Sequence, residues 1–242
     1  IGASLARTKP ADLQTAFKRM ADAAAVYGEE VGSNSVQYVS AVRSAAELLQ
    51  ASGRLDEAES WFQLALRDVK MENTGSLAPA LASIANNLAM LLRTRFGATR
   101  AAETEVLLRI AVDGFGSSDS RAAQLRSMGN LADSLRRSGR LAEALVTSRQ
   151  VLQGLPQLEG EEDVLTAKSN HALLLYSLGK LSEAEGLYRS VVQQAEVTFG
   201  RESSQASTAR ADLTELLRRM SQSEKSSQQA NFHGNSDKLS VK

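Results

Sequence analysis

The chain has no cysteine, which excludes disulfide staples, thiol catalysis and thiolate metal sites. That absence fits any redox compartment. Prolines number three and aromatic residues make up 5% of the chain, so neither loop-rich nor aromatic-rich cores are expected. Histidine occurs twice, as His171 and His233, too few for a histidine-based metal cluster. No apolar run reaches about 18 residues, the length a membrane-spanning helix needs, so no membrane insertion is expected. Neither sign of charge prevails, with 28 basic and 28 acidic residues. A chain-wide field that would draw in nucleic acid or anionic lipid is therefore missing. Stretches with β-branched residues in period-two alternation are scarce, which argues against strands.

What remains is a 242-residue chain that is 43% apolar and rich in alanine and leucine. Such a mixture favours helices packed closely through small residues. By length it allows one or two globular domains. It opens on Ile1, as expected of a processed chain or a fragment, and IGASLARTKP lacks the apolar core of a secretory signal. The expectation is a soluble protein of the cytoplasm, or of an organelle interior if a removed targeting segment preceded Ile1.

Self-similarity organises the sequence. Gly53-Arg54-Leu55-Asp56-Glu57-Ala58-Glu59, Gly139-Arg140-Leu141-Ala142-Glu143-Ala144 and Gly179-Lys180-Leu181-Ser182-Glu183-Ala184-Glu185 each lie between two helical patterns. A fourth segment, Gly97 to Glu105, is longer and carries Thr104 where the others have Ala58, Ala144 and Ala184. The helix ahead of each turn repeats as well, in stretches that begin at Ser44, Asn87, Asn130, Asn170 and Asp212. Their spacing of about 40–43 residues is that of a helical-hairpin repeat. Each glycine allows a left-handed turn, and each following alanine lets two antiparallel helices approach. One hairpin cannot bury its own apolar face, so stacking of neighbours supplies the stability.

This pattern predicts about ten helices, all-α. A lone helix over 11–31 precedes four hairpins, 35–52 with 54–71, 77–95 with 99–114, 119–138 with 141–154 and 162–178 with 181–198. A terminal helix covers 203–220. Residues 1–10 form an N-terminal flank, 11–220 the array, and 221–242 a polar stretch expected to be a disordered tail.

The units resemble the tetratricopeptide repeat, and specifically the long variant of kinesin light chains. The likeness rests on NNLAMLL, GNLADSL, SNHALLLYSLGKLSEAEGLY and SGRLDEAESWFQLAL, and on the glycine that closes a second helix in Phe199-Gly200-Arg201-Glu202. It covers roughly residues 12–220. It implies a right-handed α-solenoid whose first helices line a concave groove. The acidic coiled-coil segment that precedes the repeats in kinesin light chains is not visible, so the likeness is to the repeats and not to a motor subunit.

Chemistry-bearing patterns are sparse. His171 sits mid-helix without a serine and aspartate grouping, and the glycines mark helix ends rather than a phosphate cradle. The carboxylate pairs Asp56/Glu57 and Glu161/Glu162 fall at helix starts, where acids favour the helix dipole. No catalytic residue, metal site or cofactor is expected.

The polar residues of the first helices say more. Ser44, Asn87, Asn130, Asn170 and Asp212 hold equivalent positions, and the resemblance places them in the groove. In related repeats such an asparagine ladder bonds the main chain of an extended peptide, a role suited to an amide that both donates and accepts. The alternative is that these asparagines bond the neighbouring unit's backbone. Arg43, Asn86, Arg126, Arg93, Arg136, Arg218 and Tyr176 recur nearby. The arginines make a partly basic groove suited to carboxylates. The competing reading is solvated helix ends paired to Glu47, Asp133 and Glu215. A clamp for chaperone C-terminal carboxylates is not expected. Its first lysine is replaced by Arg43, Asn86 or Gly129, and the partner asparagine by Glu47, Met90 or Asp133. The sequence thus points to a protein-binding scaffold or adaptor for an extended, acidic partner segment. The alternative is a structural or assembly-factor subunit that uses its convex face or ends.

Overall fold

The computed structural model describes residues 9–68, 75–116 and 120–239. The first eight residues of the expected N-terminal flank, and the end of the expected helix over 54–71, lie outside the described residues. The helices are α1 Pro10–Glu30, α2 Val36–Ala51, α3 Leu55–Asp68, α4 Ala78–Phe96, α5 Ala101–Gly116, α6 Arg121–Arg137, α7 Leu141–Gln153, α8 Glu161–Ser177, α9 Leu181–Phe199 and α10 Ser204–Leu239. Among the described residues there is no strand. The chain divides into two compact units, Ile1–Gly139 and Arg140–Lys242.

In unit 1, α1 packs on α2, α2 pairs with α3, α4 pairs with α5, and α6 packs on α5. The turn chemistry follows from the sequence. Gly53 takes φ +75°, Arg54 N–H bonds Leu49 O at 3.0 Å and Gly53 N–H bonds Gln50 O at 3.1 Å. This paired closure satisfies two carbonyls that the helix end would otherwise leave open. The longer link at Gly97–Arg100 forms a 3-10 turn instead, so the odd spacing seen in the sequence reports a different connection. Ser35 caps α2, its hydroxyl accepting from Tyr38 N–H at 3.2 Å.

The core of unit 1 is aliphatic and closely packed. Leu49, Leu88, Leu92 and Leu135 of the first helices and Phe62 and Leu108 of the second are almost fully buried. Ala58 and Thr104 hold the close-approach position after the turn and are buried too. Thr104 is accommodated there because its hydroxyl donates to Arg100 O at 3.0 Å, within its own helix. The segment Gly75–Gly116 is long and apolar enough, by composition, to cross a membrane. Its leucines, with Ile84 and Phe115, are buried in this core, and Gly97 at φ +53° breaks it in the middle.

In unit 2, α8 pairs with α9, α7 packs on α8 and α10 on α9. One cluster joins Leu165, Val191, Ala195, Ala206 and Ala209, and another joins Ala172, Leu175, Ala184, Tyr188 and Leu216. The last helix is longer than the expected 203–220. It runs to Leu239, through most of the stretch 221–242 expected as a disordered tail. Its first turns are anchored by buried Ala206, Ala209 and Leu216. No proline follows, and extending a nucleated helix takes only one residue's ordering per added bond.

Candidate functional site

In unit 1 the polar faces of α2, α4 and α6 are linked to one another. Asn87 Nδ2 donates to Glu47 Oε1 across α4 and α2 at 3.0 Å. Asn86 Oδ1 accepts from Asn130 Nδ2 at 3.1 Å and from Ser127 Oγ at 3.2 Å across α4 and α6. Three of the expected groove asparagines therefore spend part of their hydrogen-bonding capacity on the neighbouring first helix. They bond side chains there, where the competing expectation was a bond to the neighbouring unit's backbone. Each amide still has capacity left, since it offers two N–H groups and a carbonyl with two lone pairs.

The arginines gather around one carboxylate. Asp133 is only 9% exposed. It accepts from Arg93 Nη1 at 3.2 Å, from Arg136 Nε and Nη2 at 3.2 and 2.8 Å, and from Arg137 Nε at 2.9 Å. Burial alone would push this carboxyl up, but the bonds and charges of Arg136 and Arg137 outweigh it and hold the group below its ordinary range. Burial also lowers the Arg93 guanidinium, against the pull of Asp133. Four N–H bonds take up the lone-pair sites of one carboxylate, so most N–H groups of the three guanidiniums are not used by Asp133. Arg137 was not among the expected site residues, although it follows Arg136 and lies one turn past Asp133. Arg43 and Glu47 add a looser pair at 3.9 Å, and the buried Arg43 Nε has no hydrogen-bond partner among the described residues. Arg126 lies exposed on α6, a turn before Asn130.

Unit 2 treats the equivalent face differently. Asn170 lines a cavity of about 400 Å³ between α8 and α10, whose rim includes Ser169, Thr208 and Asp212. Tyr176 is half-buried and packs on the cluster around Leu175, Tyr188 and Leu216, so its ring belongs largely to the core. Arg218 pairs with Glu215 at 2.7 Å.

His171 is buried, and its Nδ1 lies 2.8 Å from Ser148 Oγ, also buried. Burial, then the charge of Arg149, lowers its pKa. The repeat register explains the pair. His171 stands where unit 1 has Leu88 and Leu131, and Ser148 where other second helices have Phe62, Leu108 and Tyr188. A small residue on one helix is matched by a larger one on the next, and the two polar atoms satisfy each other. Neither reaches solvent well enough to meet a substrate. Among the described residues no group of three or more His, Asp or Glu could hold a metal ion.

Known proteins were compared with the chain. A tetratricopeptide-repeat family model matches residues 164–205, and a second tetratricopeptide-repeat model matches 39–63 and 125–150. These segments are tetratricopeptide repeats. No curated protein matches it in sequence. Solved structures with the same fold include two of a kinesin light chain from Podosopora anserina with nearly identical repeats. One, a point variant, has a TM-score of 0.61 at 18% identity and covers 81% of this chain and 94% of that one. The other has a TM-score of 0.58 at 19% identity and covers 84% and 96%. BtubC (BKLC) from P. vanneervenii has a TM-score of 0.62 at 16% identity over 85% of this chain and 83% of that one. The repeats thus have the kinesin-light-chain-like fold, and tetratricopeptide repeats in general mediate protein–protein interaction.

Proposed function

We propose that this repeat protein is a scaffold that holds an extended segment of a partner along the first-helix faces, and that in unit 1 it selects acidic residues. The observation that carries the reading is the excess of guanidinium on α2, α4 and α6. Arg43, Arg93, Arg126, Arg136 and Arg137 stand there against Glu47 and Asp133. Asp133 draws three of those arginines together and holds their forks in place, which lowers the ordering cost of gripping an incoming carboxylate. Asn86, Asn87 and Asn130 retain capacity to bond a main chain beside them.

The test uses fluorescence anisotropy on the full chain with labelled twelve-residue peptides that alternate serine with glutamate, glutamine or lysine. The glutamate peptide should bind best, and its affinity should fall as salt is added. The double variant R126E/R137E reverses two exposed charges and should weaken it about tenfold. Arg109→Glu, on the second helix α5, should leave binding unchanged. Equal binding of all three peptides, or an R126E/R137E variant that binds like the parent, refutes the reading. The subunit alternative would then gain from Val26, Val31 and Val36, which are 43–58% exposed around the link between α1 and α2 and would suit an end-on apolar contact.

A further inference from the structure

We infer that the cavity of unit 2 is a pocket for a basic side chain, an arginine or lysine of the bound partner segment. The inference rests on reading the first-helix face as partner-binding, but it concerns a separate site of opposite charge preference.

The cavity holds about 400 Å³, within the range of pockets that enclose small ligands. Leu165, Val191 and Ala209 line it with apolar surface, which suits the methylene stem of a long basic side chain. Asn170, Ser169 and Thr208 add neutral hydrogen-bonding groups. The charged residues that line it are Glu162 and Asp212, and no lysine or arginine is among the lining residues.

The cations nearest in sequence are turned to other partners. Lys168 donates to Gln194 at 2.6 Å. Arg210 bonds Glu196 at 2.7 Å and Arg201 O at 2.9 Å. Glu162 is held by Gln205, a neutral donor. Asp212 has no hydrogen bond or ion pair with the described residues, and partial burial pushes its carboxyl up from the ordinary carboxylate range.

The carboxylates that bind arginines most closely set the contrast. Asp133, Glu59, Glu196 and Glu215 are each matched by two or more arginines. Asp212 faces a cavity with none. It also stands where the first helices before it carry Asn87, Asn130 and Asn170, so its negative charge is not needed for the fold. An ammonium or guanidinium seated among Asn170, Glu162 and Asp212 would supply the missing counter-charge, with its stem on Leu165 and Val191.

A small probe separates this inference from the peptide reading of unit 1. The uniformly ¹⁵N-labelled full chain is titrated with N-acetyl-arginine methylamide, and in parallel with its neutral isostere N-acetyl-citrulline methylamide. The arginine probe should give saturable shifts at the amides of Leu165, Ser169, Asn170 and Ala209, and the citrulline probe much weaker ones. Asp212→Asn installs the residue of the equivalent positions, so it should fold normally. It should weaken the arginine probe about fivefold, the loss of a partly exposed ion pair. Asn170→Asp should tighten it. The inference is overturned if shifts scatter over surface carboxylates without saturating, if citrulline matches arginine, or if D212N binds the probe like the parent. Any of those results leaves the acidic-peptide test of unit 1 standing, and failure of that test leaves this one intact.

Discussion

Units 1 and 2 are built from the same repeat, yet they handle polar groups on their first helices differently. Unit 1 crosslinks its face. Arg93 and Asp133 join α4 to α6, Asn86 joins them again through Asn130 and Ser127, and Asn87 ties α4 to α2 through Glu47. Unit 2 ties α8 to α10 near their starts through Glu162 and Gln205, but leaves a cavity beside Asn170 and an unmatched Asp212, and puts a polar pair in the core as Ser148 and His171. The repeat dictates where the small and bulky apolar residues go. It leaves the inner polar positions free to diverge, because stacking is satisfied without them.

The largest effect should come from the matched carboxylates. Asp133→Ala strips the common partner from Arg93 and Arg136, both mostly buried, and should destabilise the protein by about 3 kcal/mol. Asp212→Ala removes an exposed group without a counter-charge and should change stability by less than about 0.5 kcal/mol. Urea denaturation of both variants checks this. Similar losses would break the contrast between matched and unmatched carboxylates.

A smaller difference is expected between two helical glycines. A Cβ on Gly114 would sit 2.9 Å from Ala82 Cβ and 3.0 Å from Ala78 O, so α5 could not keep its distance from α4. Overpacking should cost about 1–3 kcal/mol, more than the roughly 1 kcal/mol that alanine gains in helix propensity. Gly186 in unit 2 has nothing within 4 Å of such a Cβ, and Gly186→Ala should stabilise by about 0.5–1 kcal/mol. Thermal melts that move in the same direction for both would mean that the helix spacing at Gly114 is not as close as described.

The smallest effect should be a pH limb from unit 2. The folded pKa of His171 lies below its ordinary 6.5, so below about that pH the unfolded chain binds a proton that the buried ring resists. Its contribution to stability is complete above the unfolded pKa and declines as pH falls from there towards the folded one. Arg149 and Lys180 reinforce the resistance, and Glu183 opposes it. The double variant S148A/H171L restores the leucine of positions 88 and 131, and its melting temperature should fall less than the parent's between pH 6.5 and 5. Equal slopes would show that the pair does not titrate with folding.

Much of the fold was legible because it rests on local signals that repeat. The turns at Gly53, Gly139 and Gly179 share φ values of 75–76°, as the recurrent Gly-Arg/Lys-Leu pattern required. Helix ends fell close to their expected places because caps, acids and glycines mark them. The end of α10 was not legible. Its polar composition argues for disorder, whereas continuity with an anchored helix favours extension, and composition alone cannot weigh the two. Of the candidate site, equivalence of position was readable, but use was not. Asn86 and Asn130 each appear as free amides in the sequence, and only the approach of α4 to α6 makes them partners.

By itself the sequence determined the repeat, the hairpin turns, the aliphatic stripe of each helix and the lack of thiol chemistry, because each follows from residue type and spacing along one chain. Tertiary structure alone decided that three arginines share Asp133, that His171 completes the space beside Ser148, and that Asp212 faces a cavity without a cation. Those outcomes depend on distances between helices some forty residues apart. A net charge of zero is compatible with any pairing of its members, and only packing selects which charges meet and which are left unmatched.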